Sequence, residues 1–172
     1  LYLMQKIEFP LELRAQGNRV RDIVGVKNEK LALANGMLES INSLAIQARS
    51  VTLLTDVKAI DSEMKVLKDS QARYASGEKN LLDLIASTEA SAEESALVAA
   101  IVESGKKTIP LIERAAKEGE MGAGVEATLT LTEAVKPVET VWRQKVAQLI
   151  ELVRKENAEA ANRSKSIFLA TM

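Results

Sequence analysis

The chain contains no cysteine and no histidine. Disulfides, thiolate nucleophiles, thiol-ligated metals, imidazole bases and His-dependent triads are thereby excluded, and with them most of the common catalytic repertoire. A di-iron bundle, which needs Glu-x-x-His pairs, is excluded on the same ground. Aromatic residues make up only 3% of the chain, with three prolines and eight glycines. So few β-favouring runs leave no convincing strand, and hence no glycine-rich phosphate loop following one. No apolar run reaches the roughly 18 residues that would span a bilayer. Neither charge dominates: 23 Lys and Arg stand against 24 Asp and Glu, which provides no broad attraction to nucleic acid or to anionic lipid. These absences lead us to expect a protein that is not an enzyme, holds no metal or cofactor and does not bind nucleic acid.

What the sequence does contain is helix-forming. It is 47% hydrophobic and 27% charged over 172 residues, ordinary for one domain with a real core, and rich in Ala, Leu, Glu and Lys. Residues 11–56 run without proline, and Met37, Ile41, Leu44, Ala48 and Val51 are spaced four, three, four, three, as in a coiled-coil-like seam. Pro10 either starts this helix or kinks it. The pattern resets around Thr55 to Ala59, and a second stripe follows at Ile60, Met64, Leu67, Gln71, Tyr74, Glu78, Leu81 and Ile85. Ser91-Ala92-Glu93-Glu94 has the form of a capping box and opens a third helix, with a stripe at Leu97, Ile101, Ser104, Thr108, Leu111 and Ala115 and an expected bend at Pro110. "KEGEMGAG" supplies a turn. A fourth helix follows, with Val135, Trp142, Val146, Leu149 and Val153 inward and a second kink expected at Pro137.

The expected fold is all-α: an antiparallel up-down four-helix bundle of one domain over residues 1–172, with helices at about 10–56, 59–87, 92–117 and 122–170. The first and last helices are long, on the order of 50 residues or roughly 75 Å, and the middle two are shorter, so the outer pair must overhang. Both ends, "LYLM" and "IFLATM", are short apolar stubs. They read either as frayed termini or tag junctions, or as the trimmed edges of two membrane spans lying together at the overhang, the chain then being an excised fragment.

One polar band interrupts the apolar seams. Counted down from the tip formed by the turns near residues 57 and 120, Arg49, Gln71, Tyr74, Ser104, Thr108, Thr128 and Thr132 fall within roughly 10–20 Å of it. Gathered around small Ala48, such residues would enclose a chamber for water or a ligand, and the Arg49 guanidinium would favour a carboxylate through two parallel hydrogen bonds. Arg73 could add a second charge, or pair with a neighbouring carboxylate. The plainer reading has the hydroxyls bonding back to the preceding turn, Tyr74 pointing its tip outward and Arg49 snorkelling. Beside the main seam, Asn35, Asn42 and Arg49 recur every seven residues, interleaved with Leu38, Ala45 and Thr52. That second stripe is either a homodimer face or a solvated flank.

"KLALANGMLESINSLAIQARSVTLLTD" at 30–56, "QARYASGEKNLLDLI" at 71–85 and "PVETVWRQKVAQLIELV" at 137–153 resemble, in that order, the four-helix-bundle ligand-binding domain of bacterial chemoreceptors, the methyl-accepting chemotaxis proteins. The resemblance covers about residues 24–165. It implies a periplasmic sensor domain of an inner-membrane protein, held between two transmembrane helices, homodimeric, and reading small organic acids or amino acids. In such domains first-helix arginines and polar residues of the last helix take the ligand carboxylate, and Arg49 occupies such a position. The arginine cluster of the amino-acid-sensing members is missing, since 47 is Gln and 52 is Thr, which puts organic acids, aromatic ones included, ahead. Sensor domains of histidine kinases and cyclases share the architecture, and a ligand-free interaction or scaffold bundle would use both stripes for helix pairing alone.

Overall fold

The computed structural model describes the backbone of residues 2–170 and, within it, the side chains of all but residues 2–13 and 20. The first apolar stub, "LYLM", and the last two residues of the second, Thr171 and Met172, therefore lie outside the described side chains. The protein is all-α, with four helical rods and no strand among the described residues, a count that fits a four-helix bundle. The first rod is α1 (Tyr2–Leu53), the second α2 (Val57–Ser87) and the third α3 (Ala92–Glu120). The fourth is built of α4 (Gly124–Leu129), a π-helical turn (Thr130–Val135) and α5 (Lys136–Ala170). No helix of the described residues is long and apolar enough to cross a membrane.

The ends of the rods follow from local chemistry. Asp56 caps α2, its side chain accepting from the Ala59 N–H at 2.9 Å, and Ser91 caps α3 by accepting from Glu94 N–H at 3.1 Å. Only half of the expected capping box forms, because the Glu94 side chain turns away toward Lys30. α3 stops in a Schellman arrangement: Ala123 N–H donates to the Glu118 carbonyl, Gly122 N–H to that of Gly119, and Gly122 has φ +77°. Only glycine takes that backbone conformation without a steric cost.

Two prolines sit inside helices with different outcomes. α3 continues through Pro110, which is exposed. Before Pro137 the rod widens instead into the π turn, where Lys136 N–H reaches back five residues to the Leu131 carbonyl. A proline ring crowds the carbonyl four residues earlier and offers no N–H, and the wider turn accommodates both effects. α1 likewise begins ahead of Pro10 rather than at it.

The core lies where the seams meet. Met37, Ile41, Leu44, Ala48 and Val51 of α1 are all buried, as are Val135, Trp142, Val146, Leu149 and Val153 of the fourth rod. Each large aliphatic side chain so buried contributes about 1.5–3 kcal/mol. On α3 the buried line is Val98, Ile101, Gly105, Thr108, Ile112 and Ala115. The expected Leu97, Ser104 and Leu111 sit one position to the side and are half-buried. Small residues let the rods close up: a Cβ on Gly119 would come 3.2 Å from the Thr52 backbone, and one on Gly105 would meet the Tyr74 hydroxyl at 3.0 Å.

Candidate functional site

At the level expected to hold a polar chamber, two rings fill the space. Tyr74 and Trp142 are fully buried and meet edge to face, with centroids 4.6 Å apart and an interplanar angle of 71°. The Trp142 Nε1–H donates to the Tyr74 hydroxyl at 3.1 Å, and the hydroxyl donates to Glu78 Oε2 at 2.9 Å. Tyr74 therefore points inward, not outward. Its pKa is raised, first by burial and then by the neighbouring Glu78 carboxylate, so it stays protonated.

The other hydroxyl residues of the expected band bond locally, although Thr108 is buried in the core. Ser104 donates to the Ala100 carbonyl, Thr108 to that of Ser104, Thr128 to that of Gly124 and Thr132 to that of Thr128, each within its own rod. Thr128 and Thr132 are exposed. Gln71 donates to Glu113 at the surface, 2.9 Å away. Among the described residues, no hydrogen bond joins these side chains to one another across the expected chamber. A helical hydroxyl satisfies itself on the carbonyl four residues back, and it needs no shared cavity to do so.

Arg49 and Arg73 go to two different places. Arg73, on the outer side of α2, faces a groove of about 450 Å³ between α1 and α2, whose lining includes Ala32, Gly36, Glu39, Ser40, Ser43 and Gly77. A Cβ on Gly36 would meet nothing within 4 Å, so the groove is open above it. Beneath the guanidinium lies a hydroxyl pair: Arg73 Nη2 donates to Ser70 Oγ at 2.9 Å, and Ser70 Oγ lies 2.8 Å from Ser43 Oγ. Among the described residues Arg73 makes no ion pair. Its charge is therefore unpaired beside the groove, which Glu39 also lines.

Arg49 is occupied. Its Nη1 donates to the Ala45 carbonyl at 2.9 Å, and its Nη2 stands 3.5 Å from Glu139 Oε2. The other oxygen of Glu139 is held closely by Arg143 on the same helix. Glu139 is 4% exposed. At 3.5 Å, with nearly half of its side chain in solvent, Arg49 provides little energy; Arg143 is the stronger partner.

The dimer stripe divides as well. Ala45 is buried within the chain and Leu38 packs against its core, while Asn35 and Thr52 bond to the carbonyls of Leu31 and Arg49. Turned outward are Asn35, Glu39, Ile46, Arg49 and Leu53, with Asn42 half-buried among them.

Three charged residues that the sequence analysis does not place inside are buried. Lys30, Glu94 and Glu139 all lie on the buried seams. Lys30 precedes Ala34 and Met37 by four and seven residues, Glu94 precedes Val98 and Ile101 likewise, and Glu139 falls between Val135 and Trp142. A charge in phase with a hydrophobic seam is the signal that could have found them. Lys30 Nζ and Glu94 Oε1 are 2.8 Å apart, but outside hydrogen-bonding geometry.

Compared with known proteins, the chain matches no family model and no curated protein.

Proposed function

We propose that this chain is the extracytoplasmic ligand-sensing domain of a chemotaxis receptor, a homodimer anchored through flanking membrane helices, which binds a small organic acid and passes a helix displacement across the membrane. One observation carries the reading: the Arg73 guanidinium, in no ion pair among the described residues, lines an open groove beside a serine pair. A carboxylate there accepts two N–H bonds from Arg73, while the Ser40 and Ser43 hydroxyls keep their donation to the Gly36 carbonyl and Gln47 Oε1.

The antiparallel up-down arrangement with long outer rods belongs to the same proposal. It is supported by pairs whose numbers run in opposite senses: Met37 with Gly77 and Ser43 with Ser70, Lys27 with Glu156 and Arg49 with Glu139, Gly105 with Trp142 and Glu118 with Thr130. α1 forms one wall of the groove and is tied to α5 by Lys27 with Glu156 and Asn28 with Asn157, so a ligand that shifts α1 works against α5. The second copy takes the outward seam Asn35, Glu39, Asn42, Ile46, Arg49 and Leu53, spaced four, three, four, three, four.

A panel of aliphatic and aromatic mono- and dicarboxylic acids, followed by thermal shift and calorimetry, tests the site. An acid present at about 100 times its dissociation constant stabilises by roughly 2.7 kcal/mol. Arg73→Ala is expected to weaken it at least ~10-fold, about 1.4 kcal/mol, while Arg49→Ala leaves it nearly unchanged. A flat screen on the wild type would turn the reading toward a scaffold bundle without a ligand.

A further inference from the structure

We infer that Arg49 and Arg143 form a second carboxylate site, and that Glu139 fills it as the protein's own tethered ligand. Two guanidiniums reach one carboxylate from two helices, Arg49 from α1 and Arg143 from α5. The cluster carries a net charge of +1, and its carboxylate is buried. Glu139 Oε2 and Arg143 Nε are buried without a hydrogen-bond partner, so the side chain does not use up the hydrogen bonding that the place can supply. An acceptor free of the α5 backbone can turn to meet both arginines; Glu139, fixed at its Cα, meets Arg49 only at 3.5 Å.

The ligand class follows from what Glu139 itself presents beyond its Cβ, which is an acetate group. Small monocarboxylates of the size of acetate or propionate fit the space that the side chain occupies. Glu139 competes with them at the high effective concentration of a tethered group. It therefore sets a threshold: only when an outside acid is abundant enough to displace the Glu139 side chain do the arginines pass to a free ligand. α1 and α5 are then joined through the free acid rather than through Glu139. This site is separate from the groove at Arg73 and does not depend on the sensor reading.

The test is chemical rescue on the full chain, read by thermal unfolding in sodium acetate, sodium propionate or sodium chloride at equal ionic strength. Glu139→Ala is expected to melt below the wild type. Its melting temperature should climb with the logarithm of acetate or propionate concentration and respond weakly to chloride and not at all to acetamide. Glu139→Gln carries the same test without the cavity, since acetate then displaces a neutral amide rather than a carboxylate; acetate must protect it more than chloride does, and more than it protects the wild type. Adding Arg143→Ala should abolish the acetate response, whereas adding Arg73→Ala should leave it in place. Equal protection by acetate and chloride in both Glu139 variants would show general screening and overturn the site. So would an acetate response that survives the loss of Arg143.

Discussion

At the scale of single residues, Tyr74 carries the clearest linkage between environment and stability. Its folded pKa lies above the ordinary value of 10.0, through burial first and the Glu78 carboxylate second. Below pH 10 the hydroxyl is protonated in both the folded and unfolded chains, and its contribution is fully present. Above pH 10 the unfolded chain gives up the proton and the folded chain keeps it, so stability falls with a slope approaching about 1.4 kcal/mol per pH unit. Tyr74→Phe removes this slope, and also leaves Trp142 Nε1–H without its acceptor, at a cost of about 1–3 kcal/mol near neutrality. Urea unfolding from pH 7 to 11 should therefore show the variant less stable at pH 7 but declining less steeply than the wild type above pH 10. Parallel curves would mean that the hydroxyl ionises as freely in the fold as outside it.

At the scale of elements, the fourth rod holds one residue more than a regular helix would need. Its buried positions Ala127, Leu131, Val135 and Glu139 are four apart three times running, before the alternation of three and four resumes at Trp142. Three turns of α-helix take about 11 residues, not 12, and the π turn absorbs the difference. Deleting exposed Glu133 inside the π turn is therefore expected to keep far-UV helicity and a cooperative melt. Deleting exposed Gln144, in regular helix, should rotate Val146, Leu149 and Val153 off the seam and lose cooperativity. This also shows what could be read in advance. Long aliphatic side chains at four-three spacing in α1 could mark only one buried face. Pro137 marked a disturbance, but whether a rod kinks or widens depends on the packing on either side of it. The band of polar residues misled because depth along a helix says nothing of azimuth: Thr128 and Thr132 share a height with the core and face away from it. Arg73 was legible as a charge, whereas the groove in front of it depends on Gly36 and Ser40 of another helix.

At the scale of the whole molecule, a polar belt joins α1, the start of α3 and α5. Lys30 and Glu94, 3% and 1% exposed, join α1 to the start of α3. Just outside them Glu156 of α5 takes Lys27 at 2.7 Å and Ser91 at 3.3 Å. The inner pair has no hydrogen bond between its partners, so its attraction offsets the desolvation of both charges only in part. Its value lies in register. Removing one partner leaves a buried charge alone, and Lys30→Met should cost about 3–5 kcal/mol in urea unfolding. Lys30→Met combined with Glu94→Leu replaces the pair with apolar volume and should recover most or all of that loss. If the belt sets how α1 slides against its neighbours, the double variant will match the wild type in stability while its amides around residues 27–30 and 91–94 exchange faster with solvent. A double variant as unstable as Lys30→Met would instead make the pair a net source of stability, and protected amides would pass the setting of register to Lys27, Ser91 and Glu156.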